Sequence, residues 1–198
     1  MSNNPFKERL PAIQSNDKIR TPQREVYAVL EEFAGSAGID REGGVVLPVG
    51  CGKSGCIAIT PFAFKSNRTL VVAPGVKIAE QLHKDFDPTN PQMFYQKCSV
   101  LFGPPYPEPV EIRGTSTNRG DLDEAHVVIT NIQQLQGQEN RWLVDLPDDY
   151  FDLILFDEGH HSVAESYDNL KSRFPRARVI NFSATPLRAD GQLMAGRI

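Results

Sequence analysis

Two short stretches of this 198-residue chain carry residue types that can do chemistry at a phosphate. The first is Leu47-Pro48-Val49-Gly50-Cys51-Gly52-Lys53-Ser54. Glycines at 50 and 52 allow positive φ angles and let backbone N–H groups approach phosphate oxygens with no Cβ in the way. A helix opening at Lys53 would point its positive end at the same anion. Lys53 could then reach the outer phosphates, and the Ser54 hydroxyl could bind Mg²⁺. The strict pattern G-x-x-x-x-G-K-[ST] fails at its first place, where Leu47 stands. The second stretch is Asp157-Glu158, directly after the apolar run Leu153-Ile154-Leu155-Phe156. Mg²⁺ takes hard oxygen ligands, usually one or two carboxylates plus phosphate oxygens, a role that suits Asp157 with Ser54. Glu158 would be left to orient and deprotonate an attacking water. His160 and His161 next to this pair do not suggest a metal centre, because adjacent residues face different ways and the H-E-x-x-H spacing is absent.

The elements that must hold these residues are legible as alternating strands and helices. Thr21 suits an N-cap with Pro22 at the first helical position, and Val26, Val29, Leu30 and Phe33 then share one face up to a stop near Gly35 to Gly38. By periodicity alone Gln23 is a solvated first-turn residue. A strand over Val45–Pro48 feeds the glycine loop, and its helix runs from Lys53 to about Phe64, bent or ended by Pro61. Thr69–Ala73 reads as a strand and Lys77–Phe86 as a helix. Residues 87–125 are the least readable, with a rigid proline-rich loop over 104–109 and a short strand at Val110–Ile112. Val127–Thr130 is a further strand, Ile132–Gln136 a short helical piece, Ser162 to about Ser172 an amphipathic helix, and the run through Val179 to Phe182 a last strand. Continuous apolar strands alternating with helices predict a parallel sheet buried on both faces, with ligands outside the carboxyl ends of its strands.

Composition narrows the class. A hydrophobic content of 40% over this length supports one well-buried core. Residues 1–18 are polar and aperiodic and read as a loosely held arm preceding a domain over 19–198. Cys51, Cys56 and Cys98 form no C-x-x-C pair, which suits free thiols in a reducing compartment, the cytoplasm. No run reaches membrane-spanning length. The net charge of -4 gives no overall basic field, so any nucleic-acid contact must come from local groups. No N-K-x-D sequence reads guanine, which disfavours a switch-type GTPase.

The order Gln23, Leu47 to Ser54, Val72-Ala73-Pro74-Gly75, Ile129-Thr130-Asn131, Asp157-Glu158-Gly159-His160 and Ser183-Ala184-Thr185 resembles the first RecA-like lobe of superfamily 2 helicases. It is most similar to the DExH-type, restriction-enzyme-subunit-like (ResIII) branch, which has Leu-Pro before the phosphate loop and Ala-Pro after the second strand. The resemblance spans about residues 19–190. It implies an α/β P-loop NTPase fold, a RecA-like three-layer αβα sandwich with a mostly parallel sheet.

The resemblance also implies roles. Gln23 would recognise adenine, and Gly50, Cys51, Gly52, Lys53, Ser54 and Gly55 would surround ATP. Ser54 and Asp157 would hold Mg²⁺, with Glu158, Lys53 and Asp157 as the catalytic set. His160, Ser183 and Thr185 would couple nucleotide state to nucleic-acid binding. Pro74, Gly75, Lys77, Thr130 and Asn131 fall where the family touches the nucleic-acid backbone, DNA being expected before RNA. The departures are Leu47, Cys51 and Gly159, none of which removes a reactive group. The family's second RecA-like lobe, source of an arginine finger, has no counterpart before Ile198, so it would act in cis in a longer protein or in trans. The competing reading is a catalytically silent module that binds nucleotide or a partner without turnover.

Overall fold

The computed structural model describes residues 4–36, 41–114, 117–135, 144–158 and 164–185. In chain order the elements are α1 (Pro5–Glu8), α2 (Thr21–Gly35), β1 (Glu42–Val46), α3 (Lys53–Ala63), β2 (Thr69–Ala73), α4 (Val76–Phe86) and α5 (Phe94–Lys97). They continue with β3 (Pro109–Glu111), α6 (Arg119–Glu124), β4 (Val127–Asn131), a 3₁₀ turn (Ile132–Leu135), β5 (Leu153–Asp157), α7 (Ala164–Arg173) and β6 (Arg178–Ser183). The strands form one six-stranded sheet in the order β1-β6-β5-β2-β4-β3. Every pair in it is parallel. All carboxyl ends therefore lie along one edge.

The strand side chains sort by parity into two cores. Val71, Ile129, Leu155, Ile180 and Phe182 face one side, where α2, α3 and α4 bring Leu30, Ile57, Ile59 and Leu82. Val72, Val128, Ile154, Phe156 and Val179 face the other, against Leu122, Ile132, Tyr167 and Leu170. Burial on both faces explains why these strands read as continuous apolar runs rather than alternating ones. Helices on both faces give the three-layer αβα sandwich that the sequence implied. Among the described residues no helix is long and apolar enough to cross a membrane. All three cysteines are free, and burial pushes the Cys56 thiol up to about 12, so that residue acts as core.

Several boundaries differ from the sequence reading. β1 starts at Glu42, not Val45. Gly43 and Gly44 are poor strand formers, and it is the ladder to Ile180 and Asn181 that holds them extended. α3, by contrast, ends at Ala63, next to the expected Phe64, and passes through Pro61 because the proline lies in the last turn and costs a single i→i−4 bond. α2 begins at Thr21 with Arg20 as its cap, one residue earlier than expected.

The largest difference is the N-terminal arm, which is packed into the fold. Phe6 and Ile13 are 1% and 2% exposed, and the Phe6 ring meets Phe62 edge-on at 4.9 Å. The Asn4 side chain donates to the carbonyls of Ser66 and Asn67, and Arg9 donates to those of Phe102, Gly103 and Pro105. Polar residues dominate the arm because they satisfy backbone carbonyls far away in sequence, a use that periodicity does not show. Phe6→Ala should therefore destabilise the chain by about 3–5 kcal/mol. Urea denaturation measures this, and a loss below about 0.5 kcal/mol, the range of surface substitutions, would show the arm to be dispensable.

Candidate functional site

The loop after β1 has the backbone that its glycines foretold. Gly50 and Gly52 take φ of +89° and +87°. Gly52 caps α3 through its carbonyl, which accepts from the N–H of Gly55 at 3.0 Å and of Cys56 at 3.2 Å. No side chain caps the helix and no acidic residue stands in its first turn, so its positive end is left to an external anion.

Across the sheet edge, β5 ends in Asp157, and Glu158 follows with φ +55°. A non-glycine residue in the left-handed region costs about 1–2 kcal/mol, and surrounding contacts must hold it there. One such contact is the Glu158 N–H to the Phe182 carbonyl of β6, at 2.8 Å. Lys53 reaches over from the loop. Its ammonium lies 2.9 Å from Asp157 Oδ1 and is also hydrogen-bonded to Glu158 Oε1. The Ser183 hydroxyl donates to Glu158 Oε2 at 3.3 Å and accepts from the Thr185 N–H at 2.9 Å. Lys53, Asp157, Glu158, Ser183 and Thr185 thus form one connected polar cluster.

Its electrostatics are those of a partly buried ion-pair network. Burial pulls the Lys53 ammonium down, but hydrogen bonds and charge from Glu158 and Asp157 more than reverse this, and its pKa is raised. Burial is the largest influence on Asp157 and raises its carboxyl, with Lys53 opposing and Glu158 adding to the rise. Asp157 Oδ1 is buried, and the Lys53 ammonium pairs with it at 2.9 Å. A buried carboxylate oxygen suits a hard cation, and the exposed Ser54 brings a hydroxyl, hydrogen-bonded to Asp85, from the first turn of α3. These residues fit Mg²⁺. Among the described residues no group of three or more His, Cys, Asp and Glu side chains could hold a metal by itself, so phosphate oxygens would complete such a site.

Gln23 is 4% exposed rather than solvated. Its Oε1 accepts from the Arg20 N–H at 3.0 Å, and its Nε2 donates to the Gly52 carbonyl at 2.9 Å. The Arg20 guanidinium donates to the Gly50 carbonyl. The first turn of α2 therefore grips the loop at two carbonyls. Sequence reasoning missed Arg20, which lies three residues before Gln23 on the same turn. It also missed Phe94 of α5, which packs on Gly55, and Asp85 of α4, whose carboxyl burial raises while hydrogen bonds from Ser54 and Gln81 oppose the rise. Neither stands in a recognisable spacing with the loop, and only the fold brings them there.

The residues expected at a nucleic acid divide into two groups. Pro74, Gly75 and Lys77 are at the surface where β2 turns into α4, and the exposed Gln133, which the sequence did not single out, donates to the Pro74 carbonyl at 3.2 Å. Thr130 and Asn131 are buried. The Thr130 hydroxyl donates to the Asn131 carbonyl, and Asn131 Oδ1 accepts from the Gln134 N–H, which caps the 3₁₀ turn. Gly159, His160 and His161 lie outside the described residues.

A glycine-rich loop, a helix start with no side-chain cap and a lysine paired with carboxylates at the end of a parallel strand define a P-loop nucleotide-binding lobe of RecA-like fold. The sequence matches the family described as Type III restriction enzyme, res subunit, over residues 16–188. The chain belongs to that family. No curated protein sequence matches it. Among solved structures it is similar to the UvsW helicase of bacteriophage T4, with 17% identity, a TM-score of 0.56 and coverage of 91% of this chain and 58% of that one. It is also similar to the DEAD box protein of the hyperthermophile Methanococcus jannaschii, with 15% identity, a TM-score of 0.61 and coverage of 89% and 48%. The Pyrococcus furiosus Hef helicase domain gives 23% identity, a TM-score of 0.60 and coverage of 84% and 33%. The chain thus spans between a third and three fifths of the length of these structures.

The grip on the loop makes Gly55 a sensitive position. A Cβ there would lie 2.2 Å from Gln23 Nε2 and 2.6 Å from the Phe94 ring. Gly55→Ala should cost about 1–3 kcal/mol by overpacking. Gly35→Ala, with nothing within 4 Å, should be neutral or stabilise by up to about 1 kcal/mol. Equal urea midpoints for the two variants would show that α2 and α5 do not close on the loop.

Proposed function

We propose that this chain is the ATP-binding lobe of a nucleic-acid-dependent ATPase, a helicase or translocase of DNA rather than RNA. The observation that carries the reading is the Lys53 ammonium joined to both Asp157 and Glu158 at the mouth of the glycine loop. A lysine held this way is poised to exchange carboxylates for phosphate oxygens. DNA is favoured by the family, whose description names a restriction enzyme.

In this reading the N–H groups of residues 50–55 and the start of α3 bind the β and γ phosphates, and Lys53 moves onto them. Arg20, Gln23 and Phe94 bound the space beside the loop where a base would lie, with Gln23 reading adenine. Ser54 and Asp157 would hold Mg²⁺, which when bound neutralises phosphate charge and aligns the phosphoryl group. Glu158, released by Lys53, positions a water in line with the γ phosphate and accepts its proton. Ser183 touches that carboxylate and Thr185 holds the Ser183 hydroxyl, which places the two to sense its state, and His160 is assigned the same coupling role. Pro74, Gly75 and Lys77, backed by Gln133, offer backbone contacts to a nucleic acid, with Thr130 and Asn131 shaping the strand end beneath them. A second RecA-like lobe, in cis or in trans, would supply an arginine finger, typically worth on the order of 10³ to 10⁵ in rate. Free thiols throughout suit the cytoplasm.

The test uses the chain joined to, or mixed with, a second RecA-like lobe. Glu158→Gln should leave Mg-ATP affinity within a few-fold and lower steady-state hydrolysis by about 10² to 10⁴, the usual contribution of a general base. Turnover close to that of the unaltered chain would place the base elsewhere. No hydrolysis by the unaltered pair, with or without DNA or RNA, would favour the silent binding module instead.

A further inference from the structure

We propose that the N-terminal arm builds a docking site for a short acidic segment of a partner protein, anchored by one large apolar side chain. Residues 4–15 lie outside the stretch that matches the family, yet they are packed, and they close a cavity of about 340 Å³ against α2 and the end of α3. Leu10, Pro11 and Ala12 give it apolar surface above the buried Phe6, Ile13, Tyr27 and Phe62. That volume is at the lower end of the ~300–1,000 Å³ typical of ligand pockets, which suits an anchoring side chain rather than a folded domain.

The surface around the cavity is apolar where a folded chain would ordinarily hide such groups. Leu10, on the rim, is 95% exposed. Phe102 is 77% exposed and sits directly beside the arm, its carbonyl accepting from Arg9 at 3.1 Å. Exposed apolar groups around a pocket, rimmed by charge, mark an interaction surface, and a central anchor ringed by weaker contacts is the usual anatomy of one.

Charge chooses the occupant. Lys7, Arg9 and Lys65 line the rim against the single acid Glu31, which is itself hydrogen-bonded to the Tyr27 phenol. The rim is thus locally positive on a chain of net charge -4. An acidic segment is attracted to this rim and a basic one is repelled. The site lies toward the C-terminal end of α3, whose 11 residues separate it from the phosphate loop by roughly 16 Å. Docking there leaves the nucleotide site accessible.

The experiment selects a display library of random short peptides on the full chain. Enriched sequences should pair Phe, Trp or Leu with neighbouring Asp or Glu. Synthetic copies should bind about tenfold or more weakly to the double variants Leu10→Glu with Phe102→Glu and Lys7→Glu with Lys65→Glu. Both pairs alter surface side chains, so melting temperature and Mg-ATP affinity should stay unchanged. Amide shift mapping on the unaltered chain provides a second readout, with changes expected at residues 7–13, 27–31 and 62–65. Enrichment of basic peptides or of none, undiminished binding to both variants, or shifts confined to other surfaces would overturn the proposal.

Discussion

The Lys53 ammonium sits between two carboxylates that arrive from a different strand, and most of the fold exists to make that meeting possible. Lys53 opens α3 at the end of the loop after β1, whereas Asp157 ends β5 and Glu158 follows it, with β6 lying between the two strands. Only a parallel sheet puts both strand ends on one edge. The carboxylates repel each other once the lysine leaves, so the cluster is ready to accept a cation wherever the lysine is drawn away. The burial that raises Asp157 reflects the same tension, because a carboxylate removed from water needs a positive neighbour.

A second constraint acts on the loop from behind. Arg20 and Gln23 hold the carbonyls of Gly50 and Gly52, so the first turn of α2 fixes the loop that Lys53 leaves from. Gly55 permits this because any side chain there would meet Gln23 and Phe94. Base-side and phosphate-side groups therefore share a single packed unit. The arm extends that unit, since the chain runs from its buried Phe6 and Ile13 directly into Ile19 and Arg20.

Much of this was legible in the sequence for a physical reason. Strands buried on both faces must be apolar throughout, so Thr69–Ala73, Val127–Thr130 and Leu153–Phe156 announced themselves, and the glycine positions at 50 and 52 required their positive φ. What stayed hidden depends on distant partners. Gly43 and Gly44 are strand only because β6 pairs with them. Phe6 and Ile13 are isolated apolar residues in a polar stretch, and their burial rests on hydrogen bonds to carbonyls around residues 66 and 103. Gln23 looked solvated by periodicity because the surface covering it comes from the glycine loop and the start of α3. The helices at 94–97 and 119–124 are too short to leave a periodic trace. Thr130 and Asn131 illustrate the limit of motif reading, since their side chains hold the strand end itself.

The central claim is that Lys53 is the cation that this edge offers to a nucleotide. Isothermal titration of Mg-ATP into the unaltered chain and into Lys53→Ala tests it directly. The account expects saturable binding by the first and a loss of affinity of about 100-fold or more in the second, the loss of a charge-assisted contact at a partly buried site. Equal affinities, or no binding by the unaltered chain, would contradict it.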